Sequence, residues 1–279
     1  MNPKARSAER RLGIVGCGAI GSTVARLLER RKSSFRITAL YDERSAWAAD
    51  LSQNLKTRPQ LCASLPELVS QVDWVLEAAS VRAVPALARL ALRGRKPLVV
   101  MSSGGLLSDF SKIERLAKKY KTKVYLPSGA LAGLDGVKAA RQFGKIKKIQ
   151  ITTTKPPEGL KGAPGITAAQ KKALFTAKKP FYLYQGNVSG AIRRFPANVN
   201  VGATLALASG NPSKVRVEVI VDPAAKRNRH QIHVTGSFGE LTAETSNEPS
   251  PSNPKTSALA IQAALALFER IESFVEIGN

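Results

Sequence analysis

Cysteine and histidine are nearly absent from this chain: Cys17, Cys62, His230 and His233 are the whole supply. Neither cysteine has a CxxC partner or a histidine at ligand spacing. That excludes a zinc ribbon or a disulfide framework and predicts no bound metal. Such sparing use of cysteine suits a reducing compartment, and the chain reads as cytoplasmic. No apolar run approaches the roughly 20 residues that span a bilayer, so no membrane association is expected. Acidic residues are also scarce, 20 against 43 lysines and arginines, for a net charge of +23. Aromatics make up only 6% of the chain. They do not interleave with basic pairs such as Lys118-Lys119, Lys147-Lys148 and Lys171-Lys172, which argues against a stacking platform for single strands. No zinc-finger, RNP or basic-helix motif occurs either, so nucleic acid is not an expected partner. The basic excess reads as a solvated surface, and a funnel for an anionic substrate is compatible with it.

What the chain does hold is enough apolar residue, 43%, for a full core. Strand and helix patterns alternate over the first ~125 residues, and the strands are continuous apolar runs. That is the pattern of a parallel sheet covered on both faces. The first strand runs into "LGIVGCGAIGS" (12–22), which carries Gly16, Gly18 and Gly21 in GxGxxG spacing. The run is short, broken by glycines and continuous with sheet-forming sequence, so it is not read as a secretion signal. A strand precedes it, a helix follows it, and Asp42 closes the next strand about 20 residues on. The motif therefore reads as a dinucleotide fingerprint. Gly16 allows the turn, Gly18 the approach of a pyrophosphate and Gly21 close helix packing, while Ala19 and Ile20 open the helix with free N–H groups. Asp42 accepts from the adenosine ribose and repels a 2′-phosphate. NAD is the expected cofactor, with NADP as the alternative because Arg44 could swing in to hold that phosphate.

The pattern changes in the second half. "KIKKIQITTTKPP" (145–157), "KVRVEVIVDP" (214–223) and "HQIHVTGSFGELTAE" (230–244) alternate and predict an antiparallel sheet with one buried face. Residues 156–180 read as an irregular Lys-, Pro- and Gly-rich insertion, and 245–257 as a polar loop. Residues 198–209 and about 258–274 read as helices, the last folding back onto the first domain. The expected architecture is α/β: a Rossmann dinucleotide-binding domain (1–126, joined by the C-terminal helix 256–279) and a mixed α/β catalytic and dimerisation domain with an antiparallel sheet (127–255).

Further stretches carry a family resemblance. "EAAS" (77–80), "PSGALAGLDG" (127–136), "TTTKPP" (152–157), "FPANVNVGATLALA" (195–208), "NRHQIHVTGSFG" (228–239) and "NPKTSALA" (253–260) resemble the L-aspartate dehydrogenase family in order and spacing. The resemblance covers about residues 11–275. It implies a homodimer that oxidatively deaminates L-aspartate to iminoaspartate, and so to oxaloacetate and ammonia, in some members feeding pyridine nucleotide biosynthesis. It implies that His230 is catalytic and that Ala79, Ser80, Ala130 and Asn200 belong with the nucleotide. Gly202 stands where the family commonly has alanine, which puts the packing of that helix in question.

Residue chemistry runs beside the resemblance. His230 and His233 are three apart on a strand and point to opposite faces, so only one serves a given cleft. A histidine of near-neutral pKa suits proton transfer at the amine or at the attacking water; the bland alternative is a satisfied sheet histidine. Ser128, after the last strand of the first domain, could reach the cofactor or a substrate carboxylate, or sit in an ordinary turn. Asn200 could bond the nicotinamide carboxamide or fix the substrate, and a simple helix cap suits Asn198 better. Lys155 and Lys255 are candidates to hold the two carboxylates. Two other readings stay open: another Rossmann-type reductase of dihydrodipicolinate reductase or homoserine dehydrogenase architecture, and a basic nucleotide-binding protein that is not an enzyme.

Overall fold

The computed structural model describes residues 9–143, 145–196, 200–250 and 253–278. The chain divides into two compact units. One comprises the residues up to Pro127 together with Ala264–Val275, and the other Ser128–Ala263 with the last four residues.

The first unit alternates strand and helix: β1 (Arg10–Val15), α1 (Ala19–Arg30), β2 (Phe35–Tyr41), α2 (Ser45–Asn54), β3 (Gln60–Leu61), α3 (Leu65–Gln71), β4 (Trp74–Glu77), α4 (Val84–Arg93), β5 (Leu98–Val100), α5 (Phe110–Lys119) and β6 (Val124–Tyr125). All pairings are parallel, in the order β3-β2-β1-β4-β5-β6. Leu12, Ile14, Leu40, Val75, Leu76, Leu98 and Val99 are wholly buried. Helices on both faces explain why these strands are unbroken apolar runs. Each such side chain contributes about 1.5–3 kcal/mol on leaving water. Ser64 caps α3 by accepting from the Glu67 N–H at 3.3 Å, and Glu67 reaches back to the Ala63 N–H at 2.8 Å.

The second unit holds α6 (Leu134–Phe143), β7 (Ile146–Lys155), α7 (Ala168–Thr176), β8 (Phe181–Asn187), α8 (Val188–Arg194), α9 (Asn200–Ser209), β9 (Val215–Val221), β10 (Asn228–Gly236), β11 (Gly239–Asn247), β12 (Pro249–Ser250), β13 (Asn253–Ser257) and the start of α10 (Ala258–Glu272). Its main sheet runs β11-β10-β7-β9-β8. Three of its pairings are antiparallel, but the central β7–β9 pair is parallel. The later half of α10 belongs to the first unit. There Phe268 meets Phe35 edge-on at 4.8 Å, and Glu272 accepts from the Ser33 hydroxyl at 2.8 Å.

Two expectations change. Residues 156–180 are not irregular throughout, because α7 forms there. Thr167 and Gln170 make a capping box at its start, strong enough to order a helix amid lysine, proline and glycine. The stretch after Glu244 is not a loop: β11 continues to Asn247, and β12 pairs with β13. The last strand of the first unit is short, Val124–Tyr125. The cap proposed at Asn198 lies outside the described residues.

Candidate active site

The glycine loop is built as its spacing predicts. Gly16 adopts φ +94°, and a Cβ there would lie 2.5 Å from the backbone of Ala78 and Ala79. A Cβ on Gly21 would strike the Gly16 carbonyl at 1.9 Å, so only glycine lets α1 approach β1 this closely. Gly18 caps α1 with no side-chain hydrogen bond, and the first turn, which includes Ala19 and Ile20, carries no acid. Helix-start amides with no side-chain cap or acid fit a pyrophosphate. The loop also sits beside the β1–β4 boundary, where the strand order reverses and open α/β sheets bind ligands.

Asp42 ties the loop to the end of β2. One carboxylate oxygen accepts from the Cys17 N–H at 2.7 Å, the other from the Arg44 N–H at 2.8 Å. The Arg44 guanidinium lies 4.3 Å over the Trp47 ring instead of turning to the carboxylate. Cys17 is buried; burial and then the Asp42 charge push its thiol up to about 12, so it is an inert filler.

Ala79 and Ser80 follow β4. Both direct their N–H groups inward, to Glu77 Oε1 at 2.9 and 3.0 Å, while Glu77 Oε2 accepts from the Ser102 N–H at 2.9 Å. Glu77 is fully buried, and burial raises its pKa against the opposing pull of these bonds. One carboxylate thus fixes the loops after β4 and β5. Ala79 and Ser80 are left to present side chains and carbonyls, not amides, to a ligand.

In the second unit, two rungs of the sheet that share a face, with the Arg229–Thr154 pair between them, carry a buried polar cluster. One rung is Thr245–His230–Thr153. On the other, Asn228 pairs with Asn247, and the Arg229–Thr154 pairing sets Asn228 across from Lys155. Asn228, His230, Thr153, Lys155 and Asn247 are all buried. Alternation places them there: β10 buries Asn228, His230, Ile232 and Val234 and turns Arg229, Gln231 and His233 outward. His230 Nδ1 lies 3.0 Å from the Thr153 hydroxyl. The near-neutral histidine expected from sequence is not found. Burial, and then the charge of Lys155, push His230 down to about 3, so its imidazole is neutral at physiological pH. Burial lowers Lys155 to about 8, and this lysine is the group that titrates close to neutrality.

Of the other anticipated residues, Ala130 joins this cluster. Ala130 is buried, and its carbonyl accepts from the Thr245 hydroxyl at 2.7 Å and the Asn247 amide at 3.4 Å. Ser128 is exposed at the start of the second unit, and Asn200 is half-buried at the first position of α9. Lys255 lies in β13, and its side chain is outside the described residues. His233 faces the open side, 3.3 Å from Glu240. A cavity of about 570 Å³ opens on that side, lined by Thr154, Asp222, Arg227, Arg229 and Glu248. It includes none of the buried cluster, and its Arg227 and Glu248 pair with each other at 2.6 Å. Asn228, Thr153 and Glu77 were missed as site residues. Asn228 carries a usable signal, since it lies two positions before His230 and hence on the same strand face. Among the described residues, no group of three or more histidine, cysteine, aspartate or glutamate side chains is placed to hold a metal, and no helix is long and apolar enough to cross a membrane.

Comparison with known proteins places the chain. Residues 135–271 match the family "Aspartate dehydrogenase, C-terminal". Residues 16–127 match "Homoserine dehydrogenase, NAD binding domain". The L-aspartate dehydrogenase of Methanosarcina barkeri is 39% identical over 271 residues, 96% of this chain and 99% of that one. The chain belongs to the L-aspartate dehydrogenase family. The Methanocella arvoryzae member is 40% identical with the same coverage. The crystal structure of aspartate dehydrogenase from Thermotoga maritima superposes with a TM-score of 0.73 at 25% identity, covering 96% of this chain and 99% of that one. A hyperthermophilic archaeal homoserine dehydrogenase in complex with NADPH, 13% identical with a TM-score of 0.60 over 93% of this chain and 97% of that one, shares the fold. Membership makes the chain a pyridine-nucleotide oxidoreductase. The homoserine dehydrogenase alternative is thus a likeness of the nucleotide-binding half and the fold.

Proposed function

We propose that this protein is an L-aspartate dehydrogenase that removes the amine of L-aspartate oxidatively, giving iminoaspartate and then oxaloacetate and ammonia. The observation that carries the reading is the buried His230–Thr153 pair beside Lys155, in a chain of this family. With Nδ1–H donating to Thr153, the Nε2 lone pair of the neutral imidazole accepts a hydrogen bond from the substrate amine, which reacts in its neutral form, and then receives the one proton released by the water that attacks the iminium. Lys155, protonated below about pH 8, holds a substrate carboxylate. Bound at Gly16, Gly18, Ala19, Ile20, Gly21 and Asp42, the oxidised nicotinamide nucleotide supplies the acceptor for the two electrons leaving Cα. Ala79, Ser80, Ala130 and Asn200 belong to the same nucleotide reading, and Ser128 and Lys255 to the substrate reading. NAD is preferred because Asp42 holds its carboxylate at the end of β2 while Arg44 is stacked on Trp47. The working form is a cytoplasmic homodimer, with residues 1–126 and the C-terminal helix binding the nucleotide and 127–255 carrying catalysis and dimerisation.

The test is direct. Protein mixed with L-aspartate and NAD at alkaline pH develops absorbance at 340 nm, more slowly with NADP. His230→Ala lowers kcat by about 10²–10⁴-fold and leaves dinucleotide affinity unchanged. Absence of turnover with both cofactors sinks the reading.

A further inference from the structure

The proposed reaction engages His230 and Lys155 but leaves Asn228 unexplained. Its side chain is wholly buried. Neither its Nδ2 nor its Oδ1 has a hydrogen-bond partner among the described residues. Buried carboxamides are ordinarily satisfied, and an orphan at this depth calls for a reason. Its surroundings supply one. Asn228 shares a strand face with His230, two residues along, and lies across from Lys155 on β7. The turn Pro157–Leu160 covers the Asn228–Lys155 rung: a Cβ on Gly159 would lie 3.6 Å from Lys155 Cδ and 3.7 Å from Asn228 Oδ1.

We propose that Asn228 is a substrate-binding residue that recognises the α-amino-acid edge of the substrate. Its Nδ2–H donates to an oxygen of the α-carboxylate, and its Oδ1 accepts from the neighbouring amine N–H. A carboxamide offers one donor and one acceptor side by side. The amine and carboxylate on one Cα offer the complementary pair at matching separation. Lys155 then meets the same carboxylate from the facing strand, and His230 the same amine from the other rung. The arrangement selects for substrates carrying both groups on one carbon. A dicarboxylate without an amine, such as succinate, satisfies only half of the carboxamide. Among groups on this face, the charged one is Lys155 and the titratable partner is His230. Asn228 is neutral, so its role is set by hydrogen-bond geometry and not by pH.

This inference builds on the aspartate dehydrogenase reading, and its test separates the two. Ligand-free melting temperatures, and their shifts with each common L-amino acid, are measured for wild type, Asn228→Leu and Asn228→Asp, followed by steady-state kinetics. Asn228→Leu removes an unpaired buried amide, so its ligand-free melting temperature equals or exceeds that of wild type. It also loses the shift given by L-aspartate, and KM for L-aspartate rises at least tenfold while KM for the dinucleotide stays within twofold. Asn228→Asp exchanges the donor for an acceptor and loses the shift as well. A wild-type shift with an L-amino acid other than aspartate, abolished in both variants, supports Asn228 and overturns the substrate assignment. An unaltered shift in Asn228→Leu overturns the proposal. So does the absence of any amino-acid shift in wild type, and so does a lowered ligand-free melting temperature in both variants with KM unchanged, which marks a structural amide.

Discussion

Thr153 Oγ1 stands 3.0 Å from His230 Nδ1 across the β7–β10 pairing. The proposed mechanism takes Nδ1–H as the donor in this contact, which makes Nε2 the base. A hydroxyl that accepts from Nδ1–H leaves Nε2 deprotonated; without it, either tautomer is available.

Thr153→Val therefore lowers kcat by about tenfold or more, in the range general-base contributions occupy. KM for the dinucleotide does not change, and Thr153→Ser restores most of the rate. Steady-state kinetics on the three proteins checks this.

Lys155 makes stability depend on alkaline pH. Its folded value is about 8 against an ordinary 10.5. Below pH 8 both states hold the proton, and the cost of burying the charge is fully present. Between pH 8 and 10.5 the unfolded chain holds more protons than the folded one, so stability rises with pH, by of the order of 3 kcal/mol across the window. Urea titrations at several pH values, with Lys155→Met as the flat reference, measure the slope.

If Lys155 holds a substrate carboxylate as proposed, the same lysine sets ligand affinity. Succinate has no amine and is fully ionised above neutrality. Its binding is strongest below pH 8 and weakens as Lys155 loses its proton. Calorimetric titration of Lys155→Met gives weak binding at every pH; a pH dependence retained in that variant removes Lys155 from the carboxylate site.

Glu77 fixes three backbone amides with two oxygens. Glu77→Gln turns an N–H donor toward at least one of them and loosens the loops after β4 and β5. Dinucleotide affinity falls about tenfold, and KM for L-aspartate is unmoved. Fluorescence titration with NAD distinguishes this from a uniform loss of stability, which lowers the melting temperature and leaves affinity intact.

Gly202 lies inside α9, and a Cβ there would meet Val217, Val188 and Ile151 at 3.5–3.9 Å, ordinary contact distances. The doubt its presence raised about helix packing is answered: alanine fits. Gly202→Ala stabilises the protein by about 0.5–1 kcal/mol without changing kcat, as thermal and urea unfolding will show.

The nucleotide half was legible because its signals are local. Continuous apolar strands, glycine spacing and an acid at the end of the second strand all lie within one strand-helix-strand unit. The facing of His230 followed from strand alternation alone. Its charge state did not, since it depends first on burial and then on Lys155, which a distant strand brings to the same face of the sheet. Glu77 escaped notice for a related reason: its partners include Ser102, on a loop that only the β4–β5 pairing brings near. The helix at Ala168–Thr176 was masked by composition, although its capping box was present in the sequence.

The parallel β7–β9 pair has a consequence for how the second unit is made. β7 emerges from the ribosome before any strand it pairs with. Ile149 finds its neighbours only when Val215 and Val234 have been synthesised, while β10 and β11 form a local hairpin at once. Such non-local pairing is slow, and until it is complete both edges of a long, half-apolar strand stand open to other chains. Lys147 and Lys148 occupy that strand and remain exposed after folding. Charges on a waiting strand deter intermolecular pairing.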